Sequence, residues 1–215
     1  CHACKDNKWT SVFMGQACNC RCYFCPQALI KADRRDKTNT DGIIYTSHSR
    51  DYFLHLLIKL KNAAAKKTLL AIGYGGGESL LYIDKIKYYA REITALNSGL
   101  YQYIYTNGKL LTRSIAQQLR DAGIQEIRFN LAATDFSQKI IDKMKYAREI
   151  VSFLTIEIPA LKDTLQKIRK NIKRFIDLGV DQINLSELII NKHNMKYFKD
   201  ESCYYTNCFK YLPVF

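Results

Sequence analysis

The stretch ACNCRCYFCPQ, residues 17–27, places four cysteines within eight residues. Thiols at such spacing are either disulfide partners or ligands of a soft metal centre. Cys18, Cys22 and Cys25 follow the spacing C-x-x-x-C-x-x-C, and three thiolates from one tight loop can bind three irons of a [4Fe–4S] cube while the fourth iron stays open. A structural zinc site is the alternative, and Cys20 would supply its fourth ligand.

Disulfides explain these cysteines less well than a metal centre does. The N-terminal CHACKDNKW is polar and has no secretory signal, and α/β enzymes mostly reside in the cytosol, where thiols stay reduced. No run of about 18 apolar residues predicts a transmembrane helix. We therefore expect a cytoplasmic protein with no membrane partner. The chain begins without Met, which suits a trimmed chain or a part of a longer protein.

Length and composition indicate a folded α/β protein of about one domain. The chain has 215 residues, of which 47% are hydrophobic and 25% charged, as is ordinary for a soluble domain. The net charge of +13 suits an anionic partner such as RNA, a nucleotide or an acidic peptide. The basic residues are spread along helical segments such as residues 161–175, however, and dispersed lysines usually form a solvated face.

Short apolar runs alternate with longer amphipathic ones along most of the chain. The predicted strands are residues 9–15, 68–74, 101–108, 126–134, 153–159 and 181–190, and the predicted helices are residues 48–64, 82–99, 111–123, 137–150 and 162–179. No hairpin signal is read between these strands. The pattern predicts a parallel sheet with crossover helices, either doubly wound or a barrel.

Three polar loops follow predicted strands, where the sites of α/β proteins collect. They are the cysteine loop, the GGGES stretch at residues 75–79, and Thr106-Asn107-Gly108. We expect them to form one pocket. The glycines do not have the G-x-G-x-x-G spacing of a dinucleotide-binding loop, and no Gly-Lys-Ser/Thr follows them as in a P-loop.

These motifs together resemble those of radical S-adenosylmethionine (SAM) enzymes. The three spaced cysteines with an aromatic residue before the last resemble the CxxxCxΦC signature, and the other two loops resemble the GGE and TNG motifs. Ser79 departs from the proline commonly found after GGE. The match extends over roughly residues 10–190, and residues 157–163 and 179–188 are somewhat similar to the glycyl-radical-activating branch.

The resemblance implies a partial, open (β/α)6 TIM-like barrel over residues 1–190, with a CxxC extension at residues 1–8. It implies a [4Fe–4S] cluster on Cys18, Cys22 and Cys25 whose unique iron binds SAM. The loop backbone at residues 76–78 would hold the methionyl ammonium. The residues expected to bind or line the cofactor site are Phe24, Gly76, Gly77, Glu78, Thr106, Asn107, Asn130, Glu157 and Asn184. Thr134, Asp135 and Glu187 lie near the same strand ends, and no catalytic side chain is assigned.

Four cysteines remain outside this loop, namely Cys1, Cys4, Cys203 and Cys208. Both pairs flank the predicted barrel, and residues 191–215 form either a tail or the start of a further element. We predict that the four thiols share a second [4Fe–4S] cluster or a Zn²⁺, with His2 as a substitute ligand. The alternative is that the four thiols do not share a metal site. Cys20 is expected to pack locally, because a fourth ligand would block SAM.

The resemblance implies an anaerobic oxidoreductase in which SAM is reductively cleaved to a 5′-deoxyadenosyl radical that abstracts hydrogen from a substrate. An open barrel suits a protein or peptide substrate that is activated or modified, and a flavodoxin or ferredoxin would donate the electron. The alternative is an RNA- or nucleotide-modifying enzyme, favoured by the charge. A non-catalytic iron–sulfur or zinc module would explain the cysteines but not the GGE and TNG loops.

Overall fold

The computed structural model describes residues 6, 8–26, 37–40, 43–46, 50–66, 68–97, 99–198, 204–205 and 213–214. The strands in these ranges are β1 (Trp9–Phe13), β2 (Lys37–Thr40), β3 (Ile43–Thr46), β4 (Ala71–Gly75), β5 (Tyr101–Thr106), β6 (Glu126–Phe129), β7 (Phe153–Pro159), β8 (Gln182–Ser186), β9 (Tyr204–Tyr205) and β10 (Pro213–Val214). The helices are α1 (Arg50–Ala65), α2 (Ile83–Leu96), α3 (Arg113–Asp121), α4 (Gln138–Ile150) and α5 (Lys162–Leu178).

The central feature is a six-stranded parallel sheet with the strand order β1-β4-β5-β6-β7-β8. The chain adds each new strand on the same side of the last one, whereas a doubly wound sheet reverses direction at a switch point. Strands β1 and β8 are the two ends of this order and do not pair with each other in the described part of the chain. The sheet is therefore the predicted partial, open (β/α)6 arrangement.

The two faces of the sheet carry different side chains, as alternation along each strand requires. One face bears fully buried residues such as Ile72, Ile104 and Phe129, which pack with the helices in one continuous hydrophobic core. The other face carries the rings of Tyr101, Tyr103 and Tyr105, which contact one another in tilted and edge-to-face arrangements. Because the helices cover the first face, the tyrosine face is the inner, concave side of the barrel.

The prediction that no hairpin interrupts the alternation was wrong. Strands β2 and β3 pair in antiparallel fashion, with Thr40 opposite Ile43, in a sheet of their own between β1 and α1. The sequence holds Asp41-Gly42 between these strands, and Asp-Gly is one of the strongest short-range hairpin signals. The cysteine loop is thus followed by a hairpin before the first described helix.

Two predicted strands end at least four residues earlier in the structure than in the sequence pattern. Strand β6 stops at Phe129 because the side-chain oxygen of Asn130 accepts a hydrogen bond from the Ala133 N–H at 3.1 Å. That bond caps a 3₁₀ turn over Leu131–Thr134, so the chain leaves the sheet at this point. Strand β8 ends at Ser186, and residues 188–198 continue without sheet pairing.

The short strands β9 and β10 pair with each other in antiparallel fashion, in a sheet separate from the barrel. The proposed boundary between a barrel at residues 1–190 and a segment at residues 191–215 stays a prediction. None of the helices within the described ranges has both the length and the apolar character that crossing a membrane requires.

Candidate active site

The cysteine loop and the glycine loop are joined by their backbones. The Gly77 N–H donates to the Gly15 carbonyl and the Glu78 N–H donates to the Ala17 carbonyl, each at 2.8 Å. The Tyr82 hydroxyl accepts a further hydrogen bond from the Ala17 N–H at 3.1 Å. These bonds fix the start of the cysteine loop against the end of β4, which pairs with β1 in the sheet.

The close approach of the two loops requires glycine at positions 76 and 77. A Cβ atom on Gly77 would lie 2.1 Å from the Ala17 carbonyl oxygen, and one on Gly76 would lie 2.4 Å from the Gly15 oxygen. Gly76 also has a φ of +129°, a conformation that other residues rarely adopt. Both obstacles are backbone atoms, so a side chain at either position would push the loops apart.

Replacing Gly77 by Ala is therefore expected to lower the free energy of unfolding by about 2–3 kcal/mol and to weaken SAM binding. The matched control is Gly99→Ala, because a Cβ at position 99 meets only the flexible Asn97 side chain at 3.4 Å. Anaerobic urea titration and equilibrium SAM binding of both variants check this prediction. Equal urea midpoints for Gly77→Ala and Gly99→Ala would show that the loops separate without cost.

The carboxylate of Glu78 connects the glycine loop to the TNG loop. Glu78 is 1% exposed and accepts hydrogen bonds from the Thr106 hydroxyl at 2.6 Å, the Asn107 N–H at 2.8 Å and the Leu80 N–H at 3.1 Å. Burial raises the pKa of Glu78, and the three hydrogen bonds oppose that shift without cancelling it. The Glu78 side chain therefore links the carboxyl ends of β4 and β5.

Asn107 extends the same connection to the cysteine loop. Its side-chain nitrogen donates to the Asn19 side-chain oxygen at 2.7 Å and lies 4.0 Å from the Cys18 sulfur. Its side-chain oxygen accepts from the Lys109 N–H at 2.9 Å. The cysteine, GGE and TNG loops therefore meet at one place, as the sequence predicts. The contribution of Asn19 was not foreseen, because it is an unremarkable residue between two cysteines.

The thiols of the cysteine loop differ in their exposure to solvent. Cys18, Cys22 and Cys25 are partly exposed, whereas Cys20 is 5% exposed. Among the described residues no three His, Cys, Asp or Glu side chains converge as the ligands of one ion would. The thiolates of a cluster each bind a different iron and need not converge in that way. Three thiols spaced along one loop are a donor set that fits such a cluster.

Cys18 interacts with both the thiol and the backbone N–H of Cys20. A hydrogen bond with the Cys20 thiol, together with burial, raises the pKa of Cys18, so the protein alone favours the neutral thiol. The Cys20 N–H already donates to the Cys18 sulfur at 3.3 Å and would support a thiolate once metal binds.

The far side of the cysteine loop is held by the segment that follows β8. Phe24 is buried against Leu188, Ile190 and Phe198. The side-chain nitrogen of Asn194 donates to the Phe24 carbonyl at 3.1 Å. Asn191 donates in the same way to the Pro26 carbonyl at 2.7 Å. Residues 191–215 were expected to form a tail or the start of a further element, so this support for the cysteine loop was not predicted.

The remaining candidate residues lie at or near the expected strand ends. Glu157 and Asn184 are opposite each other in the register of β7 and β8. The Glu157 carboxylate is bound by Arg128 at 3.1 Å, and Arg128 stacks on the concave-face ring of Tyr103 at 3.7 Å from the ring centroid. Asn130 caps its own 3₁₀ turn.

The other strand-end candidates show no convergence on the cysteine loop. Thr134 donates to the Leu131 carbonyl, Asp135 is exposed and pairs with Lys167, and Glu187 is exposed. The second set of candidate metal ligands lies outside the described residues, namely Cys1, Cys4, Cys203, Cys208 and His2.

The family model of the radical SAM superfamily matches residues 12–200 of this chain. The chain belongs to the radical SAM superfamily. The match includes the whole six-stranded sheet except the first residues of β1, and all three loops that meet at the site. Membership in this superfamily implies a [4Fe–4S] cluster and SAM, and the arrangement of thiols and glycines described above fits both.

Known relatives have the same fold at low sequence identity. A Methanocaldococcus jannaschii protein, provisionally described as a glycyl-radical enzyme activating enzyme, is 20% identical over 204 residues, which are 90% of this chain and 51% of that protein. SuiB of Streptococcus suis, solved with bound S-adenosylmethionine, is 17% identical with a TM-score of 0.61 and covers 90% of this chain and 45% of its own. The enzyme anSMEcpe, solved with AdoMet and the Cp18Cys peptide, is 13% identical with a TM-score of 0.58. That match covers 84% of this chain and 50% of the anSMEcpe chain.

The chain thus spans about half the length of the relatives it matches. The two solved structures are below the identity at which function can be transferred, and their likeness shows the fold alone.

Proposed function

We propose that this chain is the catalytic domain of a radical SAM enzyme, with Cys18, Cys22 and Cys25 as the cluster ligands. The observation that carries the proposal is the meeting of three strand-end loops. The glycine loop is bonded to the backbone of the cysteine loop, and Glu78 and Asn107 join both to the TNG loop. An iron–sulfur carrier would need only the cysteines and has no use for this arrangement.

The protein's own residues would hold and orient the cofactors. When bound, the cluster supplies one electron that cleaves SAM to methionine and a 5′-deoxyadenosyl radical, which abstracts hydrogen from the substrate. The backbone carbonyls of the loop at residues 76–78 would accept hydrogen bonds from the methionyl ammonium, since glycines there allow close approach. Phe24 packs with Leu188, Ile190 and Phe198, and Cys22 lies against this apolar cluster, which would limit access of water to that side of the loop.

We propose a protein or peptide as the substrate. SuiB has been solved with its precursor peptide SuiA, and anSMEcpe with the Cp18Cys peptide. The M. jannaschii relative is described as acting on a glycyl-radical enzyme. The open edge at β8, whose side chains are mostly exposed or half-buried, leaves room for a large substrate beside the barrel. A flavodoxin or ferredoxin in the cytoplasm would provide the electron.

The test is anaerobic reconstitution of the cluster, followed by a count of iron and sulfide and by addition of dithionite and SAM. About four irons per chain and the formation of 5′-deoxyadenosine are the expected result. About eight irons would support the second cluster predicted for the remaining cysteines. A fully loaded protein that neither binds SAM nor forms 5′-deoxyadenosine would contradict the proposal and favour a carrier module.

A further inference from the structure

A group of three lysines lies beside the candidate active site on the side of the TNG loop. Lys109 follows that loop, and Lys139 and Lys143 lie on the first two turns of α4. We call these three residues the lysine patch. With Thr134, Ser137 and Ile140 they line a cleft of about 450 Å³. The Lys143 ammonium donates to the carbonyls of Gly108 at 3.1 Å and Lys109 at 2.7 Å, so it is fixed on the turn.

The lysine patch differs from neighbouring lysines in its lack of carboxylate partners among the described residues. No ion pair there joins a carboxylate to any of its three lysines, whereas Asp135 pairs with Lys167 and Asp142 pairs with Lys145. Burial and the nearby charge of Lys139 lower the pKa of Lys143, which shows that the ammonium groups are close enough to repel. The positive end of α4 adds to the same field.

The lysine patch adjoins the cysteine loop directly. The Lys109 ammonium donates to the carbonyl of Asn19 at 3.3 Å, and Asn19 lies between Cys18 and Cys20 in the chain. Asn19 is exposed, and its side chain is bonded to Asn107. A molecule bound to the patch would therefore lie beside Asn19, which directly follows the cluster ligand Cys18 in the chain.

We propose that the lysine patch is the docking surface for an acidic one-electron carrier protein that reduces the cluster. The inference rests on the proposed function, which requires a reductant. One electron leaves the reduced carrier and enters the oxidised cluster, and no proton or other group is transferred. Such encounters bury little surface and rely on complementary charge for their rate and orientation. The three unpaired lysines beside the cysteine loop supply that charge.

The lining of the cleft argues against RNA as the occupant. The lining, within the part of the chain that the structure describes, contains lysine, threonine, serine and isoleucine but no aromatic side chain on which a base could stack. Other exposed lysines, such as Lys170 and Lys173, lie along α5 instead of continuing from the patch. Nucleic-acid binding commonly draws on about 6–10 phosphate contacts along a track, and the patch offers three lysines.

The deciding variant is Lys139→Glu, with Lys173→Glu as a control that makes the same charge change on the outer helix α5. Lys139 is exposed and is the second residue of α4, where a glutamate interacts favourably with the helix dipole, so the variant is expected to fold. Calorimetric titration of the reconstituted proteins with oxidised flavodoxin should show about tenfold weaker binding for Lys139→Glu at low ionic strength. The difference should shrink as salt is raised, and Lys173→Glu should match the wild type.

A comparison of two electron donors distinguishes a defect in docking from a defect in catalysis. With dithionite, Lys139→Glu should form 5′-deoxyadenosine at the wild-type rate, and with reduced flavodoxin it should require about tenfold more carrier. Equal flavodoxin affinity of the wild type and Lys139→Glu would overturn the docking proposal, as would binding of a single-stranded RNA that Lys139→Glu abolishes. If the loaded wild type binds flavodoxin through Lys139 but never cleaves SAM with dithionite, the proposed function fails and the docking surface stands.

Discussion

Cys22→Ala is expected to abolish 5′-deoxyadenosine formation and to lower the iron content well below that of the wild type. Cys22 is a partly exposed member of the loop that carries the C-x-x-x-C-x-x-C spacing. Its removal leaves two thiolates, and a [4Fe–4S] cluster held at only two irons is readily lost. Iron and sulfide analysis after anaerobic reconstitution, with 5′-deoxyadenosine followed by chromatography, measures both effects.

Cys20→Ala is the matched control, because it removes a thiol from the same loop. Cys20 is buried and is not part of the cluster spacing, so its loss should cost about 1 kcal/mol of stability and leave iron, sulfide and SAM cleavage intact. Loss of metal in both variants, with zinc bound by the wild type, would indicate the four-cysteine zinc site instead. Retention of a full cluster in Cys22→Ala would show that the ligand set has been misassigned.

The sheet could be predicted because its signals are local. Strand β7 coincides with the predicted residues 153–159, and β5 begins at the predicted Tyr101. Parallel strands buried on both faces are short apolar runs between amphipathic helices, and both periods are visible within a few residues. The loops at the ends of these strands then meet because parallel strands end at the same edge of the sheet. The same rule predicts from the sequence that the three motifs meet.

The contacts that hold the site could not be predicted in the same way. Asn194 reaches Phe24 across 170 residues of sequence, and nothing near Asn194 distinguishes it from a polar residue in a tail. Its carboxamide is buried and hydrogen-bonded because the end of the cysteine loop folds over residues 188–198. Pairings of this kind depend on tertiary position, which spacing within a single sequence does not encode.

The polar interior of the barrel is a second feature that the sequence pattern does not predict. Glu126 and Arg128 alternate with apolar residues on β6, a pattern that usually indicates a strand with one solvated face. Both are buried, because Arg128 binds Glu126 through two hydrogen bonds of 2.9 and 3.1 Å and stacks on Tyr103. A polar barrel interior and a solvent-facing surface produce the same alternation, and only the tertiary structure distinguishes them.

Glu78→Ala is expected to lower the free energy of unfolding by about 3–5 kcal/mol and to weaken SAM binding. The substitution leaves the Thr106 hydroxyl and the N–H groups of Leu80 and Asn107 without their acceptor in a buried place. It also frees the TNG loop from the glycine loop. Anaerobic urea titration measures the stability, and equilibrium dialysis with labelled SAM measures the binding. The control is Glu149→Ala, an exposed glutamate whose loss should cost under about 0.5 kcal/mol.

Glu78→Gln removes the negative charge of the side chain but keeps one hydrogen-bond acceptor. Burial raises the pKa of Glu78, so a neutral side chain recovers part of the cost of burying the carboxylate. The amide oxygen of glutamine can still accept from Thr106 and Leu80, but its NH₂ group would face the Asn107 N–H, which is also a donor. We therefore expect a loss of about 2 kcal/mol, smaller than for alanine. A glutamine variant as stable as the wild type would contradict this expectation and show that relief from burying the charge offsets the whole loss at Asn107.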